Sequence, residues 1–228
     1  MDSPLLQSPE EPLFAVTVTG HKWLAPSTLE IRFEKPSGFS FVPGQKVRLV
    51  HDRIDRIYSL TSRPQDNELA ICVRHIPNGR MTSVLADTRV GQLFHLTPAF
   101  GFFVFQPSSR LPVFVATGTG IAPFVAFARS GVRGFYLLHG VRHAAELYYR
   151  ELLAAAAGVY VPCLSDTPMP NSDISRSFHG RVTAYIEVRL PAADYDFYLC
   201  GRGEMVRDAM RIIDRRYPAA RVFTETFF

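Results

Sequence analysis

Four short segments carry residue types that could do chemistry together: Arg56-Ile57-Tyr58-Ser59, Gly79-Arg80-Met81-Thr82-Ser83, Thr117-Gly118-Thr119-Gly120-Ile121-Ala122-Pro123 and Cys200-Gly201. An arginine can hold a pyrophosphate, a tyrosine can stack on a flat ring, and a serine hydroxyl can hydrogen-bond a ring nitrogen. Arg56, Tyr58 and Ser59 offer all of these on one strand. Alternation puts Arg56 and Tyr58 on one face and Ile57 and Ser59 on the other, unless the strand twists or ends there. Taken alone, the segment reads as an edge strand with a solvated arginine. Gly79 to Ser83 opens a short helix, and its free N–H groups with Arg80 would suit a pyrophosphate. An ordinary helix cap by Thr82 or a neighbour is the plainer account of that segment.

Thr117 to Pro123 follows an apolar strand that ends at Ala116. Gly118 and Gly120 permit a sharp turn and a close approach to the backbone. Pro123 suits the first turn of a helix, where its missing N–H costs nothing. The helix start then offers N–H groups to a phosphate or another polar ligand. The spacing is not GxGxxG, and a tight turn with no ligand explains the segment equally well by itself. Cys200-Gly201 ends a second apolar strand, and ligands of open parallel sheets sit beyond the carboxyl ends of the strands. Thr117 and Cys200 would then face one crevice. An isolated cysteine is more often a small buried hydrophobe.

The elements that must position these segments fall into two halves. Between residues 13 and 105, short alternating or β-branched runs at 14–18, 29–33, 46–50, 56–60, 69–74 and 93–96 predict six strands of a small antiparallel barrel. One short helix interrupts it near Met81 to Ala86. After Pro107 to Arg110 the pattern changes. A fully apolar strand at 113–116 and further strands at 135–138, 159–161, 197–199 and 221–224 alternate with helices after Gly120, over 144–156 and over 204–216. That predicts a five-strand parallel α/β unit covered on both faces. Residues 1–12 read as a loose tail, 13–107 as the barrel domain and 108–228 as the α/β domain.

With 47% hydrophobic and 20% charged residues, both halves have core material. The net charge of +4 is nearly all arginine, Lys22, Lys35 and Lys46 being the lysines. That balance suits phosphate-bearing ligands or acidic partners. No dense basic run alternates with aromatics, which excludes a nucleic-acid binder. Cys72, Cys163 and Cys200 have no metal-ligand spacing and cannot hold a four-cysteine cluster, so no metal is expected. A reducing cytoplasm is the expected compartment. The start, Met1-Asp2-Ser3-Pro4, carries no targeting pattern. The most apolar stretch, Leu111 to Phe127, is broken by Pro112, Gly118, Gly120 and Pro123, so no membrane span is expected.

Together these residues resemble the ferredoxin–NADP reductase superfamily, over nearly the whole chain from Phe14 to Phe228. Arg56-Ile57-Tyr58-Ser59 is similar to its R-x-Y-S flavin motif, and Pro43-Gly44-Gln45 to the turn before it. Gly79 to Ser83 is similar to the second flavin motif, Thr117 to Pro123 to the T-G-T-G-I-A-P nicotinamide loop, and Cys200-Gly201 with Met205 to C-G-x-x-x-M. Thr224 to Phe228 resembles the terminal acidic-aromatic segment that closes over the flavin. The resemblance implies an FAD-binding β-barrel domain and an NAD(P)-binding α/β domain. It also implies hydride transfer between NAD(P)H and FAD, then single electrons passed onward.

The resemblance further implies roles. Arg56, Ile57, Tyr58, Ser59, Arg74, Gly79, Arg80, Met81 and Thr82 would hold FAD, with Ser59 near N5. Thr117, Gly118, Thr119, Gly120, Cys200, Gly201 and Met205 would hold the nicotinamide end. Ser59, Cys200 and Glu225 would be catalytic, and Phe227 or Phe228 would cover the flavin. Ser165-Asp166 stands where members choosing a 2′-phosphate carry S-R, which favours NADH, although Arg142 and Arg176 could take a phosphate. The chain lacks a cluster of its own, so the implied partner is a small acidic ferredoxin or similar carrier. Arg207, Arg211 and Arg215 share one helix face that could dock it, although such a stripe is more often solvated surface. A flavin reductase releasing reduced flavin and a non-catalytic flavin-binding subunit are the rival functions.

Overall fold

The computed structural model describes residues 12–166 and 177–227. The expected tail, most of the 166–177 loop, Arg176 and Phe228 lie outside the described residues. All six strands expected in the first half are present: β1 Phe14–Ala25, β2 Thr28–Glu34, β3 Lys46–His51, β4 Ile54–Ser59, β5 Glu68–Arg74 and β6 Leu93–Leu96. They pair antiparallel in the order β4-β3-β6-β1-β2-β5. The period-two burial of β1 to β3 turns Val16, Val18, Leu29, Ile31, Val47 and Leu49 into one core. The sheet closes where Leu60 bridges Ile71 and the Thr61 N–H donates to the Ala70 carbonyl at 2.8 Å. Helix α1, Arg80–Ala86, fills one end of this barrel with Met81 and Leu85.

The second half is a parallel sheet of six strands rather than the five expected. They are β7 Leu111–Thr117, β8 Tyr136–Val141, β9 Val159–Leu164, β10 Phe178–His179, β11 Tyr195–Arg202 and β12 Arg221–Phe227. The order is β10-β9-β8-β7-β11-β12. The added strand, β10, is two residues long, too short to show a period. Helices α2 Ala122–Arg129 and α3 Arg150–Ala156 cover one face, around Phe114 and Tyr198. Helices α4 Val182–Val188 and α5 Gly203–Arg216 cover the other, around Val113, Phe197 and Leu199. Both faces are therefore buried, which is why β7, the first half of β8 and the middle of β11 read as apolar runs.

Three further differences have local causes. α4 lies in a stretch that the sequence left unassigned; its buried residues, Val182 and Ile186, are one turn apart. The helix expected over 144–156 is split into a 3₁₀ turn, Ala144–Glu146, and α3, because Tyr149 takes a left-handed φ of 59°. β12 extends beyond the expected 224 to Phe227, which places Glu225 opposite Cys200 in the β11–β12 ladder.

The chain runs outward from β7 through β10, then returns beside β7 as β11. The carboxyl ends of β7 and β11 thus meet at the switch point of the sheet, where crevices form. Polar contacts join the halves. Arg129 at the end of α2 donates to the Thr61 carbonyl at 3.0 Å and pairs with Glu30 at 3.3 Å, and the Tyr149 hydroxyl donates to Glu30 at 2.8 Å. Among the described residues no helix is long and apolar enough to cross a membrane.

Candidate active site at the junction of barrel and sheet

The site is built from the Pro43-Gly44-Gln45 turn upward. Gly44 has φ +95°, and a Cβ there would strike the Phe103 carbonyl and the Phe127 ring, so only glycine fits. The Gln45 side chain accepts from the Val42 N–H at 2.9 Å and donates to the Gly101 carbonyl at 3.3 Å. The turn so fixed starts β3 with Lys46 in register opposite Ser59, the last residue of β4. Ser59, 3% exposed, donates its hydroxyl proton to Glu225 Oε2 at 3.1 Å. Lys46 Nζ donates to Glu225 Oε1 at 2.8 Å, and Glu225 is 7% exposed. Ser59 and the partly exposed Lys46 of the barrel half and the buried Glu225 of the sheet half thus form one polar cluster.

Glu225 leads directly to the second half. It neighbours Cys200 across the β11–β12 ladder. Cys200 is fully buried, and burial first, then the charge of Glu225, pushes its thiol well above the ordinary range. Its sulfur is a neutral thiol, not a thiolate. The Thr117–Ile121 turn interlocks with this strand end. A Cβ on Gly120 would overlap the Cys200 carbonyl, and one on Gly201, with φ +143°, would overlap Thr117 Oγ1. Thr117 Oγ1 also accepts from the Arg202 N–H at 3.3 Å. Pro123 sits in the first turn of α2, as its chemistry requires.

The face of β4 offers Arg56 and Ile57, both exposed, and the half-buried Tyr58. Burial raises the Tyr58 phenol strongly, while the Arg56 charge pulls it down, so the ring stays neutral beside a cation. Strict alternation fails here: Ile57 is exposed and Ser59 buried, because Ile57 has no layer over it and Ser59 ends the strand against β12. An exposed arginine, an aromatic ring and a hydroxyl whose proton is committed to Glu225 fit an anionic ligand with a flat ring.

The second barrel segment is arranged differently from a plain Thr82 cap. Gly79 is the N-cap without a side-chain cap, and the Thr82 hydroxyl accepts from the Ile76 N–H at 3.2 Å and donates to its carbonyl at 3.1 Å. Arg80 is exposed, while Met81 is buried in the barrel core. Arg74 ends β5 and is close enough to Tyr148 for its charge to act on that phenol; the Tyr148 hydroxyl oxygen lies 3.9 Å from where a Gly118 Cβ would stand. Thr119 is half-buried in the turn.

At the carboxyl ends of β8 and β9, Arg142, Ser165 and Asp166 gather. The Asp166 N–H donates to the Arg142 carbonyl at 3.2 Å, and Asp166 lies 3.4 Å from His143 Nε2. Phe227 is partly buried against the core around Phe114. One expected grouping is not formed. Met205 packs in the core on the other face of the sheet with residues of α4 and α5, whereas Cys200 lies in the core around Phe114. The α5 arginine stripe is exposed surface, with Arg211 paired to Asp208 at 3.2 Å and Arg215 to Glu187 at 2.5 Å. Lys46 is the site residue that sequence reasoning missed. The signal was present: it directly follows the Pro-Gly-Gln turn, where it begins the strand beside Ser59.

Comparison with known proteins bears on this geometry. Residues 15–105 match the family model of the oxidoreductase FAD-binding domain, and residues 114–211 that of the oxidoreductase NAD-binding domain. The toluate 1,2-dioxygenase electron transfer component of Pseudomonas putida is 29% identical over 211 residues, 88% of this chain and 63% of that protein. The ferredoxin–NAD(P)(+) reductase component of the naphthalene 1,2-dioxygenase system of Pseudomonas putida is 32% identical, over 78% of this chain and 57% of that protein. The chain thus spans less than two thirds of the length of these relatives. Among solved structures, a ferredoxin NADP+ reductase from Neisseria gonorrhoeae with bound FAD and NADP superposes with a TM-score of 0.82 at 23% identity, over 95% of this chain and 99% of that one. A cytochrome P450 reductase from Amycolatopsis superposes with a TM-score of 0.78 at 28% identity, over 95% of this chain and 71% of that one.

Proposed function

Since the chain belongs to the ferredoxin–NADP reductase superfamily and carries its FAD-binding and NAD-binding domains, we propose that it is an oxidoreductase moving electrons from NAD(P)H through FAD to a separate iron–sulfur carrier. The observation that carries this reading is the Ser59–Glu225 hydrogen bond, with Cys200 next to Glu225 in the ladder. It joins the end of the flavin segment to the nucleotide turn through buried polar groups. FAD supplies hydride acceptance and single-electron release when bound. The chain's residues bind and orient it. Arg56 and Arg80 hold the pyrophosphate, Tyr58 packs on the ring, and Ser59 stands near N5. Thr117 to Gly120, with Cys200 and Gly201, hold the nicotinamide end, which their close backbone packing leaves no side chain to block. Phe227 supplies an aromatic surface beside that site.

The domain division falls at 107/108, in the connector whose Gln106 N–H donates to the Tyr198 hydroxyl at 3.0 Å. Asp166 favours a free ribose hydroxyl over a 2′-phosphate, and hence NADH, with Arg142 the residue that would accommodate the phosphate. The acceptor is a small acidic ferredoxin, supported by an arginine-rich net charge of +4 and by relatives named as electron transfer components. The compartment is the cytoplasm, in keeping with three unpaired, buried cysteines.

The test is reconstitution with FAD followed by ferricyanide reduction with NADH and NADPH side by side. The expected outcome is a yellow protein that retains FAD on dialysis and turns over faster with NADH. FAD lost on dialysis but reduced in turnover would point to a flavin reductase, and no turnover to a binding subunit; either result overturns the reading.

A further inference from the structure

Lys46 has no part in the function proposed above, yet its position is tightly set. Its backbone exchanges both hydrogen bonds with Phe100, and its ammonium lies 5.7 Å from the centroid of that ring. It stands opposite Ser59 in the β3–β4 ladder and pairs with Glu225 at 2.8 Å. The polar and ionisable side chains that face Glu225 come from three elements: Lys46 of β3, Ser59 of β4 and Cys200 of β11. Burial keeps the Cys200 thiol neutral, and the charges acting on it are those of Glu225 and Lys46.

A carboxylate has no proton to give. Paired with an ammonium, Glu225 only accepts, so Ser59 commits its single O–H to Oε2 and keeps lone pairs alone for any other neighbour. A hydroxyl in that state accepts from an N–H and offers nothing to a bare ring nitrogen. The flavin N5 is a bare acceptor when FAD is oxidised and an N–H when it is reduced. We propose that Lys46 is a positioning residue which, through Glu225, sets Ser59 as an acceptor and so favours the reduced form of bound FAD. The inference rests on the proposed placement of Ser59 near N5. FAD, held by Arg56, Tyr58 and Ser59, would accept a hydride at N5 from the nicotinamide C4, which would thereby be oxidised; two electrons and the hydrogen would arrive together, and no proton would pass through Ser59 or Glu225. Without the ammonium, Glu225 Oε1 loses the contact that holds the carboxylate in place. Oε2 then no longer fixes the Ser59 hydroxyl, whose O–H is released to the ring nitrogen, and oxidised FAD is favoured instead.

The experiment is a spectroelectrochemical titration of the FAD-reconstituted protein, with occupancy checked by flavin fluorescence and folding by thermal melting. In Lys46→Met the ratio of affinities for reduced over oxidised FAD should fall about tenfold, about 30 mV for a two-electron couple. Lys46→Gln, which keeps an N–H donor but loses the charge and one bond of reach, should fall likewise, and Lys46→Arg should stay near the wild type. In a Glu225→Gln background, Lys46→Met should add nothing. Wild-type midpoints in both Lys46→Met and Lys46→Gln, with FAD retained, would reduce the ion pair to a tie between sheets and overturn the inference. A residual shift in the Glu225→Gln background would overturn the route through Glu225. A wild-type protein that takes no FAD would remove the proposed function itself, a result distinct from an unmoved midpoint.

Discussion

The clearest single-residue determinant of the site is Gly120, whose missing Cβ lets the nucleotide turn lie against the Cys200 carbonyl. Gly120→Ala must part the two, at a cost of about 1–3 kcal/mol for overpacking. If the turn and strand end bind the nicotinamide as one surface, nucleotide affinity falls about tenfold or more, since 1.4 kcal/mol is tenfold. FAD binding should stay. Difference-absorbance titration with NADH checks this, and an unchanged dissociation constant would detach the interlock from binding. Cys200 argues at the same scale. Burial holds its thiol high, raises Cys163 to about 12 and raises Cys72 further still. None of them should react with a thiol reagent at mildly alkaline pH in the native protein, and all should react after denaturation. Fast native labelling would mean that the strand end opens.

At the scale of an element, β8 carries a buried histidine that the site does not use. His139 is fully buried, its Nδ1 lies 3.0 Å from the Tyr160 hydroxyl, and its Nε2 has no hydrogen-bond partner. Burial lowers its pKa from 6.5 to about 3. The unfolded chain therefore binds a proton below 6.5 that the folded chain refuses until about pH 3. Stability from this group is complete above 6.5 and is lost as pH falls toward 3, by at most about 1.4 kcal/mol per pH unit. His139→Gln keeps a polar group against Tyr160 and removes the titration. Its urea-unfolding free energy should fall less steeply with acid than that of the wild type. Parallel acid limbs for the two proteins would assign the effect elsewhere.

For the whole molecule, the decisive contacts are those that hold the barrel against the sheet. Arg129 closes α2, whose other end carries the nucleotide turn, and it grips Thr61, two residues beyond Ser59 in sequence. Glu30 accepts from Arg129 and from Tyr149, whose left-handed backbone costs about 1–2 kcal/mol and is held by that contact. The Arg129–Glu30 pair is only partly buried, and Tyr149 still donates to Glu30 without it, so its loss costs about 1.5–3 kcal/mol, as for a charge-assisted hydrogen bond. Arg129→Met should therefore lower the urea midpoint and separate the transitions followed by flavin fluorescence and by far-UV circular dichroism. A single coincident transition at the wild-type midpoint would show that the apolar contacts alone join the halves.

The sequence by itself determined the two architectures. Period-two runs gave the barrel strands, since an antiparallel sheet with one wet face must alternate. Continuous apolar runs marked β7, β8 and β11, since both their faces are covered. The turn glycines were legible for the same local reason, because a backbone that must turn sharply or lie against another leaves no room for a Cβ. The sequence stopped where a partner is distant in the chain. β10 is too short to carry a period, and the break at Tyr149 follows from a hydrogen bond to Glu30, 119 residues away. Met205 looked available because spacing says nothing of what lies across a helix. Lys46 was visible as a residue but not as a charge beside Ser59 and Glu225. Its partner is 179 positions away, and only the closing of barrel against sheet brings an ammonium, a carboxylate and a hydroxyl within hydrogen-bonding reach.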